Sequence, residues 1–277
     1  MNNLDTSSRS TSRRNCYHIL REILRNQSGD IITYLGKKNS TKQPIIFKRF
    51  LFTESGFNLF DYQDYILRSQ LLCTLNHPGI PPYIDFFKTS DSFCLVQKYK
   101  PAKSLDKSRI FGLDEIKHIA ISVLEILVYL QRRTQPTIHG DIKPENILVD
   151  EHLNVYLVGF ALGPIAEESP WLFAPEQQRD RLLTETADLY NLGATIICLL
   201  TQTKSADIKT LVDSQGRINF KHRLSQISSR LLDWLEKMVE PSLINRYPNA
   251  DTALKALMQH KTLINNYCPN ERYLVKP

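Results

Sequence analysis

Residues 138–163 read IHGDIKPENILVDEHLNVYLVGFALG. Asp141, Lys143 and Asn146 set a carboxylate, an ammonium and an amide at D-x-K-x-x-N spacing. Two short strand-like pieces, NILV and VYLV, follow them. The second runs into Gly159, thirteen residues past Asn146, which brings no side chain back to the loop.

The two sides of this stretch differ in character. Before it, YHILREIL, DIITYLG, PIIFKRF and SFCLVQKY are β-rich runs separated by polar or glycine-containing turns. Between the third and fourth, Phe60, Ile66, Leu67, Leu71, Leu72 and Leu75 recur at near-helical spacing, closed by Asn76, Pro78 and Gly79. After Pro101 the pattern becomes helical. In LDEIKHIAISVLEILVYLQRR, Ile116, Ile119, Ala120, Val123, Leu124 and Leu127 form one apolar stripe. Further helices are expected around 189–200, 231–239 and 250–258. The outline is an α+β chain of two lobes, β-rich over 15–99 and mainly helical over 100–262, with a ligand cleft expected between them. Residues 1–14 read as a disordered basic, Ser- and Arg-rich tail, and 263–277 as a C-terminal extension.

Composition narrows the class. At 277 residues, 42% hydrophobic and 23% charged, the chain has the make-up of a globular protein. Five dispersed cysteines without a CxxC pair argue against a disulfide framework or zinc site and for a reducing compartment. No apolar run reaches a membrane span and no signal peptide is evident, so a cytoplasmic location is expected. The net charge of +6 permits an acidic partner, but its basic residues read as scattered, so nucleic acid is not the favoured one.

The segment H-G-D-I-K-P-E-N resembles the catalytic loop of eukaryotic-like serine/threonine protein kinases, H-R-D-x-K-x-x-N. Other matches keep the family's order. Ala174-Pro175-Glu176 resembles A-P-E, Asp188 to Gly193 resembles D-x-x-x-x-G, and Lys48 ends a V-A-I-K-like strand. Arg246 stands where a partner for Glu176 is expected. NHPGIPPYIDFF, APEQ and DLYNLGATIICLLT are similar to bacterial, particularly cyanobacterial, kinases. The resemblance covers about residues 17–260 and implies a bilobal kinase-like fold.

It also implies roles. Asp141 would be the base, Lys143 would steady the transferred phosphoryl group, and Asn146 would hold magnesium. His139 and Phe160 would be packed spine residues. Ile31 would roof a nucleotide, Leu148 would floor it, and the hinge would run through Lys98, Tyr99 and Lys100 after Gln97. Ile46, in place of a small alanine, would narrow that pocket.

Four departures cut against transfer. Gly159-Phe160-Ala161 replaces D-F-G and removes the metal carboxylate. Arg68 stands where a glutamate would pair with Lys48, and like charges there would repel. Asp64, one turn earlier, is an alternative partner for either cation. The phosphate-covering turn has Leu24 and Asn26 at glycine positions and keeps only Gly29. The activation segment is short, with Glu167, Glu168 and Ser169, and Gly140 replaces the arginine that receives its phosphate.

A competent kinase turns over at about 1–100 s⁻¹, and losing one principal charge contact costs about 10²–10³-fold. The expectation is therefore a pseudokinase: a regulatory or scaffold protein whose partner is another protein, with weak or absent Mg-ATP binding and no cofactor. The alternative is an atypical, weakly metal-dependent kinase using Asp141, Lys143 and Asn146 with ATP and magnesium.

Overall fold

The strand-like runs of the first hundred residues build a five-stranded antiparallel sheet in the order β1-β2-β3-β5-β4. Its strands are β1 (Tyr17–Arg25), β2 (Ile31–Lys38), β3 (Pro44–Leu51), β4 (Tyr83–Lys88) and β5 (Ser92–Lys98). The computed structural model describes residues 16–26, 28–52, 62–107, 109–162, 172–180, 184–224 and 226–262. The expected tail, the C-terminal extension and Glu167, Glu168 and Ser169 lie outside these residues.

Strand parity on β3 decides what faces the cleft. Ile45 and Phe47 point to one face and join Phe87, Cys94 and Val96 in a small core. Ile46, Lys48 and Phe50 point to the other, where Phe50 enters the main core and Lys48 Nζ lies 5.3 Å from its ring centre.

Helix α1 (Tyr62–Cys73) differs from the expected stripe. It buries Tyr65, Ser69 and Leu72, while Leu67 is 61% exposed. Its aromatic contact with Phe93 of β5, 6.1 Å from Tyr65, sets the rotation, which counting apolar residues could not supply.

The chain leaves the sheet at Lys98 and enters β6 (Lys103–Ser104), which pairs with β7 (Ile147–Val149), itself paired with β8 (Val155–Leu157). This small sheet lies on the helical lobe. Helix α2 (Leu113–Gln131) buries all six residues of its expected stripe, adding Ile126 and Leu130. A short helix α3 (Pro175–Asp180) precedes α4 (Glu185–Thr201), which is buried continuously from Ala187 to Cys198. Thr184 caps α4 by accepting a bond from Ala187 N–H at 3.0 Å. In α5 (Ser229–Met238), Leu231, Trp234, Leu235 and Met238 face inward at helical spacing, and α6 (Ala250–Thr262) completes the bundle. The Trp234 indole donates to the Ala253 carbonyl at 2.9 Å, fastening α5 to α6.

One ion pair closes the helical lobe. Arg246, 2% exposed, donates to both Glu176 oxygens at 2.7 and 3.2 Å. It also donates to the carbonyls of Glu240, Thr186 and Pro241 and stacks over Tyr190. A buried pair broken on one side leaves an uncompensated charge. Arg246→Ala is expected to lose about 3–5 kcal/mol in urea unfolding, and a loss below about 1 kcal/mol would show the pair to be as weak as a surface one.

Candidate functional site

The two lobes enclose a cleft of about 470 Å³, within the roughly 300–1,000 Å³ of small-molecule sites. The expected pocket residues Ile31, Ile46, Lys48, Gln97, Lys98, Tyr99, Lys100 and Leu148 all line it, together with Asp141, Lys143, Asn146, Gly159 and Phe160. Ile46 lines this space without closing it.

The loop is held from below. Asp188, fully buried on the first turn of α4, accepts the backbone N–H of His139 and of Gly140, each at 2.8 Å. Burial pushes its carboxyl up to about 7 against those two donors. Gly140 sits at φ +79°, a left-handed conformation that costs a side-chain-bearing residue about 1–2 kcal/mol. The His139 ring accepts the Asp141 N–H at Nδ1 (3.2 Å), so Nε2 carries the proton and donates to the Val158 carbonyl at 2.9 Å. Burial holds this imidazole down at about 4. Above it, Phe160 packs with its ring centre 4.3 Å from His139 and 6.0 Å from Tyr83. The column joins the helical lobe to β4.

The metal side of the loop is filled from within. Asn146 Nδ2 donates to the Asp141 carbonyl at 2.7 Å and to Asp141 Oδ2 at 2.8 Å. The other carboxylate oxygen faces Lys143 Nζ at 3.1 Å. Because both amide partners are acceptors, Asn146 Oδ1 must point the other way, toward Gly159. Gly159 has φ +82°, and a Cβ there would lie 2.3 Å from Asn146 Oδ1. The asparagine side chain thus stands in the room that a carboxylate at 159 would need. The donors present do not fit a magnesium ion, which favours near-octahedral oxygen ligation through carboxylates. Among the described residues, no group of three or more His, Cys, Asp or Glu is arranged to hold a metal.

Arg68 has a partner that the sequence did not suggest. Its guanidinium Nη1 donates to the Ala161 carbonyl at 2.8 Å, tying α1 to the Gly159–Ala161 segment. Asp64, one turn back, exerts its attraction on Arg68, whose charge burial otherwise disfavours. A bond from helix to backbone joins these elements, which a glutamate–lysine pair would not do.

The turn over the cleft is likewise occupied by its own groups. Asn26 Oδ1 accepts the Ile31 N–H at 2.9 Å, its Nδ2 reaches Asp30 at 2.6 Å, and its carbonyl takes the Gly29 N–H at 3.1 Å. Those backbone donors are spent inside the turn. Leu24 and Ile31 face the cavity beside it.

The protein kinase domain model matches residues 17–263. The chain belongs to this family. Serine/threonine-protein kinase D of Synechocystis sp. is 31% identical over 196 residues, covering 64% of this chain and 38% of that protein. Serine/threonine-protein kinase B of the same organism is 28% identical, covering 66% of this chain and 35% of its own length. The chain therefore spans little more than a third of these relatives. A crystal structure of Rad53 1–466 in complex with AMP-PNP superposes with a TM-score of 0.69 at 18% identity, covering 88% of this chain and 65% of that one. This likeness is one of kinase fold. Among the described residues, no helix is long and apolar enough to cross a membrane.

Sequence reasoning missed Arg21, Lys103 and Lys107, which join Lys98 and Lys100 along the cleft. A signal existed: KYKPAKSLDK, from Lys98 to Lys107, holds four lysines in ten residues.

The buried histidine yields a pH test. Unfolded, its imidazole takes a proton near the usual 6.5, folded near 4, so acidification favours the unfolded chain across that window. Asp188 acts oppositely, losing stability as pH rises from 3.8 toward 7. Comparison with His139→Leu isolates the histidine. On going from pH 7 to 5, wild type should lose about 2 kcal/mol relative to the variant in chemical unfolding. An unchanged difference would mean the ring is not held neutral.

Proposed function

We propose that this kinase-family chain acts as a binding or regulatory protein, with little or no phosphotransfer and no strong affinity for Mg-ATP. The observation that carries the reading is the position of Asn146. Its amide is committed to Asp141 and its oxygen stands where residue 159 would carry a side chain. The Gly29 and Ile31 N–H groups taken by Asn26 and the Arg68 bond to Ala161 support it. With Phe160, His139 and Tyr83 packed as one column, the lobes keep a defined mutual position without a metal–phosphate bridge. Such a rigid surface suits recognition of another protein.

One observation favours a second reading. Asp141 and Lys143 face each other at the mouth of an open cleft that also contains Lys48. That geometry suits a slow serine/threonine kinase with weak metal dependence.

Radiolabelled phosphate transfer separates the two. Wild type is expected to match Asp141→Asn, with any rate below about 10⁻³ s⁻¹; transfer abolished by that substitution would establish the slow kinase instead. Gly159→Asp is expected not to raise transfer, because Asn146 fills the space and φ +82° strains a carboxylate-bearing residue. A gain of about 10²-fold or more in that variant would show that the missing ligand alone accounts for inactivity.

A further inference from the structure

The hinge end of the sheet carries charge outside the cleft. β1 starts there, β2 ends there and β3 starts there, because His18 is paired with Lys37 and Lys37 with Pro44. β5 ends there as well, with Lys98 paired to Ile45. The turn over 39–43 is closed by the Lys38 N–H on the Gln43 carbonyl at 2.9 Å and the Lys42 N–H on the Lys38 carbonyl at 2.8 Å. The Asn39 N–H bonds the Cys16 carbonyl at 2.8 Å, which fixes the turn to the chain entering β1.

Strand alternation splays the lysines of this end. Lys37 shares the face of Ile31 and Thr33, Lys38 shares that of Tyr34, and Lys42 lies in the turn. None of the three lines the cleft, and none forms an ion pair among the described residues. Lys98, exposed at the end of β5, adds a fourth charge. The acids of the sheet lie elsewhere or are engaged. Asp30 and Asp91 belong to its opposite end, where their carbonyls accept the N–H groups of Leu51 and Phe52. Glu22 pairs with Arg25, and Asp85 accepts the Tyr17 hydroxyl at 3.0 Å.

Apolar groups stand exposed beside these lysines. Ile19 is 45% exposed and Leu20 is 50% exposed, and neither lines the cleft. Ile19 is paired with Gly36, next to Lys37, and Leu20 is the extra residue of a bulge before Arg21. Aliphatic side chains flanked by unpaired lysines match an anionic lipid surface, which takes apolar groups at its headgroup boundary and attracts cations. The lysines radiate from a turn instead of lining a groove, which suits a plane of charge better than one acidic chain. They are also lysines, hydrated point charges suited to diffuse headgroup charge, whereas nucleic-acid phosphates are better matched by the arginine fork.

We infer that the hinge end of the sheet, through Ile19, Leu20, Lys37, Lys38 and Lys42, adsorbs reversibly to an anionic lipid surface. The inference uses no residue of the 139–160 loop and stands whether or not the chain transfers phosphate. Each lysine near an anionic leaflet strengthens adsorption by about fivefold, and the effect fades as salt shortens the screening length.

The test is sedimentation of the full chain with vesicles of phosphatidylcholine alone and of phosphatidylcholine mixed two to one with phosphatidylserine. Binding is expected to the mixed vesicles only, and to fall at least about tenfold in about 1 M salt. Lys37→Gln/Lys38→Gln/Lys42→Gln should weaken it at least about tenfold, and Lys42→Gln alone, on the exposed turn, by about fivefold. Lys204→Gln/Lys209→Gln/Arg217→Gln removes the same charge from exposed positions of the helical lobe and should change binding less than about threefold. Leu20→Ser should weaken it by about threefold or more. Equal binding to both vesicles, or an equal loss in the helical-lobe variant, would overturn the inference. Duplex DNA or poly-glutamate bound as tightly as the mixed vesicles would overturn the lipid assignment, and unchanged binding in Leu20→Ser its apolar half.

Discussion

Two backbone bonds to one buried carboxylate organise the site. Asp188 takes the N–H groups of His139 and Gly140, so the loop rests on a helix buried continuously from Ala187 to Cys198. From there the geometry propagates outward. His139 is oriented by the Asp141 N–H and the Val158 carbonyl, and Phe160 packs on its ring. Tyr83 continues the contact into the sheet. An unpaired buried amide is costly, so this carboxylate is required for shape whether or not the loop performs chemistry. Retention of H-G-D around it is consequently poor evidence of activity.

Chemistry depends instead on the rim of that scaffold, and there Asn146, Asn26 and Arg68 are each bonded to neighbouring protein groups. Asn146 bonds Asp141 and fills the space over Gly159. Asn26 takes the N–H groups of Gly29 and Ile31 in its own turn, and Arg68 holds the Ala161 carbonyl. These substitutions do more than delete ligands. Each residue takes up a hydrogen-bonding or packing task where it stands. The cleft itself survives as a space of nucleotide size with a predominantly positive wall. The absence of a carboxylate at residue 159 and the presence of a cationic pocket are compatible, because they involve different side chains.

Much of this was legible in the sequence, for local reasons. The loop spacing, the strand alternation and the α2 stripe each reflect contacts among residues close in the chain or at a fixed period. The Glu176–Arg246 pair was also foreseeable, from the resemblance of both positions to a known motif order. What escaped were contacts whose partners lie far apart. Arg68 and Ala161 are separated by 93 residues, and nothing in either neighbourhood announces the bond. The rotation of α1 escaped as well, because its apolar residues are more numerous than the face that packs, and Phe93 selects among them. The lysines after the hinge were visible as a cluster. Their meaning required knowing that Arg21 of β1 lies across the same cavity.

By itself, the sequence determined the family, the two-lobed architecture and the absence of a carboxylate at residue 159, since these depend on residue identity and spacing alone. Only the tertiary structure decided how that absence is accommodated. Whether a vacated position becomes a hole, a water site or a place for a neighbouring side chain depends on which groups converge there. Here it is Asn146, turned by its two bonds to Asp141, that occupies the room above Gly159.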